Sequence, residues 1–298
     1  MSEFDPSYGE AVRLGPQIVR VTAENPGPFT GAGTNTFLLG ENQLMVVDPG
    51  PADPAHTAAL VRAIAGRPVS HILITHTHLD HVGGLGDFRA AVDAPTAGEG
   101  AYREARPLKP GEENPFRSSS DVTFQPDIVL RDGDTLNNGD VSVTVIATPG
   151  HTANHICFTI GKDCLVGDHV MGWSTTVVAP PDGSMGGYLR SLDRLARDNH
   201  TRLLPTHGDV IDEPQKAVSA VRSHRLMRER AIAERLALGD KRIGDIVDAL
   251  YENIDTRLKF AAGLSVLAHL EKLEDDGRAK SQGWGVDALW EPTPAFTA

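Results

Sequence analysis

The stretch Thr75-His76-Thr77-His78-Leu79-Asp80-His81-Val82-Gly83-Gly84 constrains this chain more than any other. Three histidines and an aspartate fall within six positions, directly behind His71-Ile72-Leu73-Ile74. That run reads as a buried strand, bounded upstream by Pro68 and stopped by the polar cluster. Strand periodicity puts His76 and His78 on one face of the extended chain. Asp80 and His81 follow in a turn, where Gly83 and Gly84 let the backbone bend tightly. Neutral imidazole and carboxylate are the ligand types that suit zinc or a similar divalent ion. A histidine-rich surface loop is the alternative, but such loops rarely space their histidines so that they converge. The stretch is a metal site.

Three further strand ends carry metal-competent residues. The alternating run Val141-Ser142-Val143-Thr144-Val145-Ile146 leads into Thr148-Pro149-Gly150-His151-Thr152, the run from Asp163 to Gly167 ends on Asp168, and Arg202-Leu203-Leu204-Pro205 closes on Thr206-His207-Gly208. Each residue would sit at the edge of a sheet, where side chains from distant strands meet. His76, His78, Asp80, His81, His151, Asp168 and His207 make seven ligands, too many for one tetrahedral zinc and suited to two ions sharing a bridge. Two such ions can hold a bridging hydroxide as nucleophile and polarise the oxygen of the group under attack.

Around these ends the chain alternates strands with a few helices. Strands are expected over 16–22, 43–48 and 127–130, a loop entering a strand over 31–39, and a hairpin over 155–168 turning at Gly161-Lys162. Helices are expected over 54–66 and 185–197. Residues 95–120 are rich in proline, glycine and serine and read as a long surface loop, a binding lid or a mobile segment. From Asp212-Glu213-Pro214 onward the pattern changes to helices over about 214–238, 242–253 and 256–275, then a hairpin around Gly283. Phe260, Leu264, Leu267, Leu270 and Leu273 recur at helical spacing as the core of that unit. The reading is an α+β chain with a catalytic domain over 1–212 and a winged-helix-like domain over 213–298.

Charge narrows the partners. The formal net charge is -12, carried by residues 1–215, whereas 216–280 hold 13 Lys+Arg against 11 Asp+Glu, a net of +2. An acidic catalytic part argues against long nucleic acids, which need extended phosphate contacts. Arg222, Arg225, Arg228 and Arg230 recur along one helix, but Glu229 and Glu234 interrupt them, and the run reads as a solvated face. Cys157 and Cys164 read as small buried residues, not a disulfide framework. Nothing resembles a signal peptide or a membrane span, so the cytoplasm is the expected location. His155, His200, His224 and His269 have no context that suggests a ligand.

The set His-x-His-x-Asp-His, Thr-Pro-Gly-His-Thr, Gly-Asp and Pro-Thr-His-Gly resembles the metallo-β-lactamase superfamily across roughly residues 16–210. The resemblance implies a four-layer αββα sandwich with a dinuclear site at one edge of its sheets. His76, His78 and His151 would hold the first metal, Asp80, His81 and His207 the second, and Asp168 would bridge them. The expected ions are two Zn2+, with Mn2+ or Fe2+ as substitutes. Asp80 resembles the hydrolase branches, not the true zinc β-lactamases, so β-lactam hydrolysis is disfavoured. A narrower similarity, to the β-lactamase-like protein 2 group, rests on Asn25-Pro26-Gly27-Pro28, Gly33-Thr34-Asn35-Thr36 and Ser265-Val266-Leu267-Ala268-His269-Leu270. That group joins the sandwich to a winged-helix-like tail and includes a single-strand endoribonuclease. It also implies that Asn35 lies near the site.

Asp80 and His169 are the candidate catalytic residues, His169 as a proton donor beside the bridging aspartate. The expected activity is hydrolysis of a small ester, thioester or lactone. Single-stranded RNA is the second substrate class, and a nucleic-acid-binding regulator with a metal-sensing domain the third reading. The helix over 256–275, with Arg257, Lys259 and Lys272 against Glu271, Glu274 and Asp275, forms no basic stripe. The tail is therefore expected to shape the substrate cleft or a homodimer contact.

Overall fold

Alternation along the strands decides which side chains fill which layer. The computed structural model describes residues 4–252 and 259–296. Seven strands form one sheet in chain order: β1 (Val12–Gly15), β2 (Ile18–Thr22), β3 (Asn35–Leu39), β4 (Leu44–Val47), β5 (Val69–Ile74), β6 (Thr96–Gly98) and β7 (Ile128–Val129). The first four pair antiparallel and the rest parallel, with α1 (Pro54–Ile64) crossing from β4 to β5 and α2 (Leu79–Val82) and α3 (Leu85–Val92) from β5 to β6. The second sheet runs β12-β11-β10-β9-β8, from β8 (Thr135–Asn137), β9 (Ser142–Ala147), β10 (Ile156–Ile160), β11 (Asp163–Gly167) and β12 (Arg202–Pro205). The parallel pair β11–β12 is joined through α4 (Met185–Leu195).

Phe37 and Leu39 of β3 point between the sheets, where they join Met45, Leu73, Val143, Val145, Phe158 and Leu204. Leu38 points the other way, into the layer formed with Leu60 of α1 and Phe88 of α3. Cys157, Cys164 and Leu203 do the same on the far face of the second sheet, against Tyr188 and Leu192 of α4. Period-2 alternation in two sheets, each with an inner and an outer apolar face, yields the four-layer αββα sandwich. Both cysteines are buried and unbridged, as small core residues are.

The hairpin turns at Gly161-Lys162, with Ile160 opposite Asp163. Three strands carry no clear sequence pattern. β1 and β8 are short edge strands, and Thr96-Ala97-Gly98 of β6 has no β-branched run although all three residues are buried. The 95–120 loop is thus corrected to a strand followed by a tethered segment. Arg106 pairs with Glu112 at 2.7 Å and with Glu271 at 2.6 Å, and the Ala105 amide donates to Pro181 O at 2.7 Å.

The C-terminal helices are α5 (Pro214–Ala237), α6 (Ile243–Leu250) and α7 (Lys259–Asp275), followed by the hairpin β13 (Ala279–Gln282) and β14 (Leu289–Pro292). They bury Ile232, Leu236, Ile243, Leu267, Leu270 and Trp290 in a core of their own. Arg257 and the start expected for the last helix at 256 lie outside the described residues. Phe260 departs from the expected leucine stripe, being 56% exposed while Leu264, Leu267, Leu270 and Leu273 are buried. Arg225 departs from the expected solvated face. It is buried, donates to Thr176 O and lies over the Tyr188 ring at 5.5 Å, because α5 packs against the sandwich and not against water alone. No helix among the described residues is long and apolar enough to cross a membrane.

Leu270→Ala removes a side chain with no exposed surface from this core. It should cost about 2–5 kcal/mol of stability, whereas Phe260→Ala should stay within about 0.5 kcal/mol. Chemical denaturation of the two variants checks the assignment of the stripe.

Candidate metal centre

All seven predicted ligands converge at one end of the two sheets. His76 follows β5, His78 stands at the N-terminal cap position of α2, and Asp80 and His81 lie within α2 itself. His151 follows β9, Asp168 follows β11 and His207 follows β12. Gly83 and Gly84 form the expected tight turn, between α2 and α3, with right-handed backbone angles that do not themselves require glycine. They are needed for close approach. A Cβ on Gly84 would stand 2.7 Å from Pro51 O, and one on Gly83 would stand 3.0 Å from the Ala52 amide nitrogen. The chain after β4 therefore lies directly against α2.

The ligands separate into two trios. His76 Nε2 and His151 Nε2 stand 3.0 Å and 3.1 Å from His78 Nδ1. In the other trio, Asp80 Oδ2 lies 3.7 Å from His81 Nε2 and 3.2 Å from His207 Nε2. Asp168 faces both. Its Oδ1 is 3.5 Å from His81 Nε2 and 3.3 Å from His207 Nε2, while its Oδ2 is 3.6 Å from His151 Nε2. A carboxylate so placed could bridge two ions, and the trios match the two expected ligand groups, while His76, His81 and Asp168 make a third group close enough to share an ion.

The donor set fits divalent ions. A tetrahedral zinc with bonds of about 2.0–2.1 Å sets its nitrogens roughly 3.3 Å apart, close to the spacing of the first trio. The buried atoms His81 Nε2, His207 Nε2 and Asp168 Oδ1 have no hydrogen-bond partner among the described residues, an arrangement that is costly unless a cation or proton satisfies it. Burial and the neighbouring His81, His78 and His151 push His76 far below the ordinary imidazole range. Burial, with His151 beside it, pushes His78 down to about 3. The second trio shows the opposite sign. Burial opposes protonation of His207, but Asp168 and Asp80 raise it to about 10. Burial likewise opposes ionisation of Asp168, yet His207 and His81 hold its carboxyl well below the usual range. Positive charge is demanded between these side chains, and neutral imidazoles face it from the other side.

A surrounding set of hydrogen bonds orients the ligands, and most of it is not legible in the sequence. Asp48, the last residue of the strand expected over 43–48, is fully buried with a positive φ of 52°. Its Oδ1 accepts from the Thr75 amide at 2.8 Å, and its Oδ2 accepts from Thr75 Oγ1 at 2.7 Å and faces His81 Nδ1 at 2.8 Å. This carboxylate–histidine contact fixes which His81 nitrogen faces the centre. The only signal is a strand ending on an acid, as at Asp168. His155, which has no ligand context in the sequence, faces Thr148 Oγ1 at 2.8 Å through Nδ1 and accepts from the Asp168 amide at 3.2 Å through Nε2. Asn35 donates to Pro205 O at 3.0 Å and to Gly208 O at 2.9 Å, clamping the turn that carries His207. His151 Nδ1 faces Val177 O at 2.6 Å, and His207 Nδ1 faces Gly33 O at 3.1 Å.

His169, expected as a proton donor, is not among the residues that line the cleft. It is fully buried, neither ring nitrogen has a hydrogen-bond partner among the described residues, and the ring packs at 4.6 Å from that of Tyr188. Burial pushes it down to about 3. Asp80, by contrast, lines the cleft.

That cleft has a volume of about 380 Å³ and opens over His78, Asp80, His151 and Asp168. Phe29, Leu79, Phe116, Met171, Val177 and Ala179 form most of the rest of its wall. Ala179, Phe116 and Val177 also pack on the core of the C-terminal helices, so the tail shapes the cleft.

Residues 29–207 match the family described as the metallo-beta-lactamase superfamily, and residues 243–290 match the beta-lactamase associated winged helix domain. A beta-lactamase-like protein 2 homolog of Caenorhabditis elegans is 32% identical over 89% of this chain and 86% of its own length. An atrochrysone carboxyl ACP thioesterase of Aspergillus chevalieri is 29% identical, covering 78% of this chain and 69% of its own. The crystal structure of a beta-lactamase domain protein from Burkholderia ambifaria superposes with a TM-score of 0.80 at 21% identity, covering 98% of this chain and 96% of that one.

Asp48→Asn should weaken zinc binding at the His81 side by about 10–100-fold while sparing the His76–His78–His151 trio. Competition titration with a zinc chelator reads this as one weakened and one unchanged step.

Proposed function

This chain belongs to the metallo-beta-lactamase superfamily, and from that premise we propose a hydrolase that cleaves a small acyl substrate, an ester, thioester or lactone, with a pair of zinc ions. The observation that carries the substrate class is the wall of the cleft. Six apolar side chains line it, its charged residues are acids, and no lysine or arginine is among them. A phosphodiester brings an anion that protein cations ordinarily neutralise, and a nucleic acid brings many. A neutral acyl group with an apolar body needs none. A relative named as an acyl-carrier thioesterase supports the same class.

His76, His78 and His151 would hold one ion, Asp80, His81 and His207 the other, with Asp168 between them. Ions bound there would supply Lewis acidity toward an acyl oxygen and lower the pKa of a water molecule. The chain's own contribution is orientation and exclusion. Asp48, Thr75, His155 and Asn35 hold the ligands in place from behind. Phe29, Phe116, Val177 and Ala179 take up the apolar part of the substrate and keep bulk water from the reacting carbonyl.

Purified protein should contain close to two zinc ions per chain, and His78→Ala should lower both metal content and turnover. Elemental analysis beside a rate assay decides it, since undiminished activity in metal-stripped protein would sink the mechanism. In a panel of aryl esters, thioesters, lactones, a cephalosporin and single-stranded RNA, turnover should concentrate on the acyl compounds. Cleavage of RNA alone would overturn the acyl assignment.

A further inference from the structure

One carboxylate in the cleft is accounted for neither by the metal ligands nor by the apolar wall. Asp182 lines the same cavity as His78, His151 and Asp168, and it is only 3% exposed. Its Oδ1 is taken twice, by the Tyr102 hydroxyl at 2.6 Å and by Asn114 Nδ2 at 2.5 Å. Asn114 Nδ2 also donates to the Tyr102 oxygen at 2.6 Å, which closes the triangle. Asp182 Oδ2 has no hydrogen-bond partner among the described residues. A buried acceptor without a donor is costly, and on a residue that lines the cleft it points to a donor that arrives with a ligand.

The surroundings hold that oxygen in place. Asp182 lies just before Ser184, whose hydroxyl caps α4 by accepting from the Gly187 amide at 3.2 Å. The Gly183 amide donates to Ala179 O at 2.8 Å and the Ser184 amide to Gly150 O at 2.9 Å, next to His151. Tyr102 and Asn114 come from the tethered segment after β6. Both of their donors face the same carboxylate oxygen, so the other is presented as an acceptor alone. Burial pushes the Asp182 carboxyl up, against the pull of Tyr102 and Asn114, and a donor from outside the chain would relieve that cost.

We propose that Asp182 Oδ2 is a substrate-recognition acceptor that takes an N–H donor on the substrate, so that the cleft selects amide-bearing esters or thioesters over plain alkyl ones. The ligand class rests on the acyl reading of the cleft. The test reads binding and not turnover, so the two can fail separately.

The substitution Asp182→Asn suits that test. The new amide oxygen can take the place of Oδ1 and keep accepting from Tyr102 and Asn114, which leaves the fold supported. Its NH2 group then replaces the free acceptor with a donor. Two non-hydrolysable probes serve for calorimetry on the metal-loaded protein: S-hexyl-N-acetylcysteamine, and the thioether ketone in which a methylene replaces its N–H. The wild-type protein should bind the N–H probe roughly tenfold or more tightly than the ketone. D182N, with an unchanged melting temperature, should lose or reverse that preference. Equal affinity of the wild type for both probes, binding of neither, or a ratio unchanged in D182N overturns the proposal. Turnover of the parent thioesters by the wild type reports on the acyl reading alone.

Discussion

The structure depends on one carboxylate placed between two sets of imidazoles. Asp168 can be ionised where it is only because His81 and His207 stand 3.5 Å and 3.3 Å from one of its oxygens. Buried charge of this kind is stable when compensated and strongly destabilising when it is not. Every element that reaches the sheet edge therefore has to deliver its ligand within a narrow tolerance. The right-handed α2 directly after β5, the close passage of Gly83 and Gly84 beside Pro51 and Ala52, and the positive φ of Asp48 are all consequences of that demand. A metal pair would supply the compensation that protons on His81 and His207 supply without it.

That dependence governs what can be read from the chain and what cannot. Ligands announce themselves because imidazole and carboxylate at the end of an apolar strand have few other uses. The seven positions therefore stand out from the sequence alone, as does the alternation that sets Phe37 and Leu39 against Leu38. The hydrogen bonds behind the ligands are less legible, since their chemistry is shared with ordinary turns and cores. Asp48 in Asp-Pro-Gly looks like any turn aspartate. His155 opens an apolar strand and resembles a core histidine, yet it holds the Asp168 amide. His169 misleads in the other direction, because adjacency to Asp168 in sequence sends its side chain to the far side, against Tyr188.

Short strands are hard to read from the sequence for a related reason. β6 is three residues of small or polar character, and it pairs parallel with β5 because its neighbours on both sides bury it, not because its residues favour extension. The error at Phe260 is similar. Helical spacing places it on the stripe, but its position near the start of α7 lets it project past the packed region, while Leu264 onward meet α6 and the hairpin.

The cleft wall draws on more of the chain than the candidate metal ligands do. All seven candidate ligands precede residue 208, and His151 Nδ1 faces Val177 O on the loop that also meets the tail. The wall instead includes Phe116, Val177 and Ala179, whose other faces rest on the core of α5, α6 and α7. Arg225 of α5 joins the two regions, since it donates to Thr176 O while Thr176 Oγ1 donates to Asp168 O at 2.7 Å. A substitution in the helical tail can thus shift the cleft wall and, through Arg225 and Thr176, the backbone of Asp168. The tail and the sandwich also share packing, since Val218 of α5 and Ala268 of α7 lie in the same cluster as Tyr188 and Leu192 of α4.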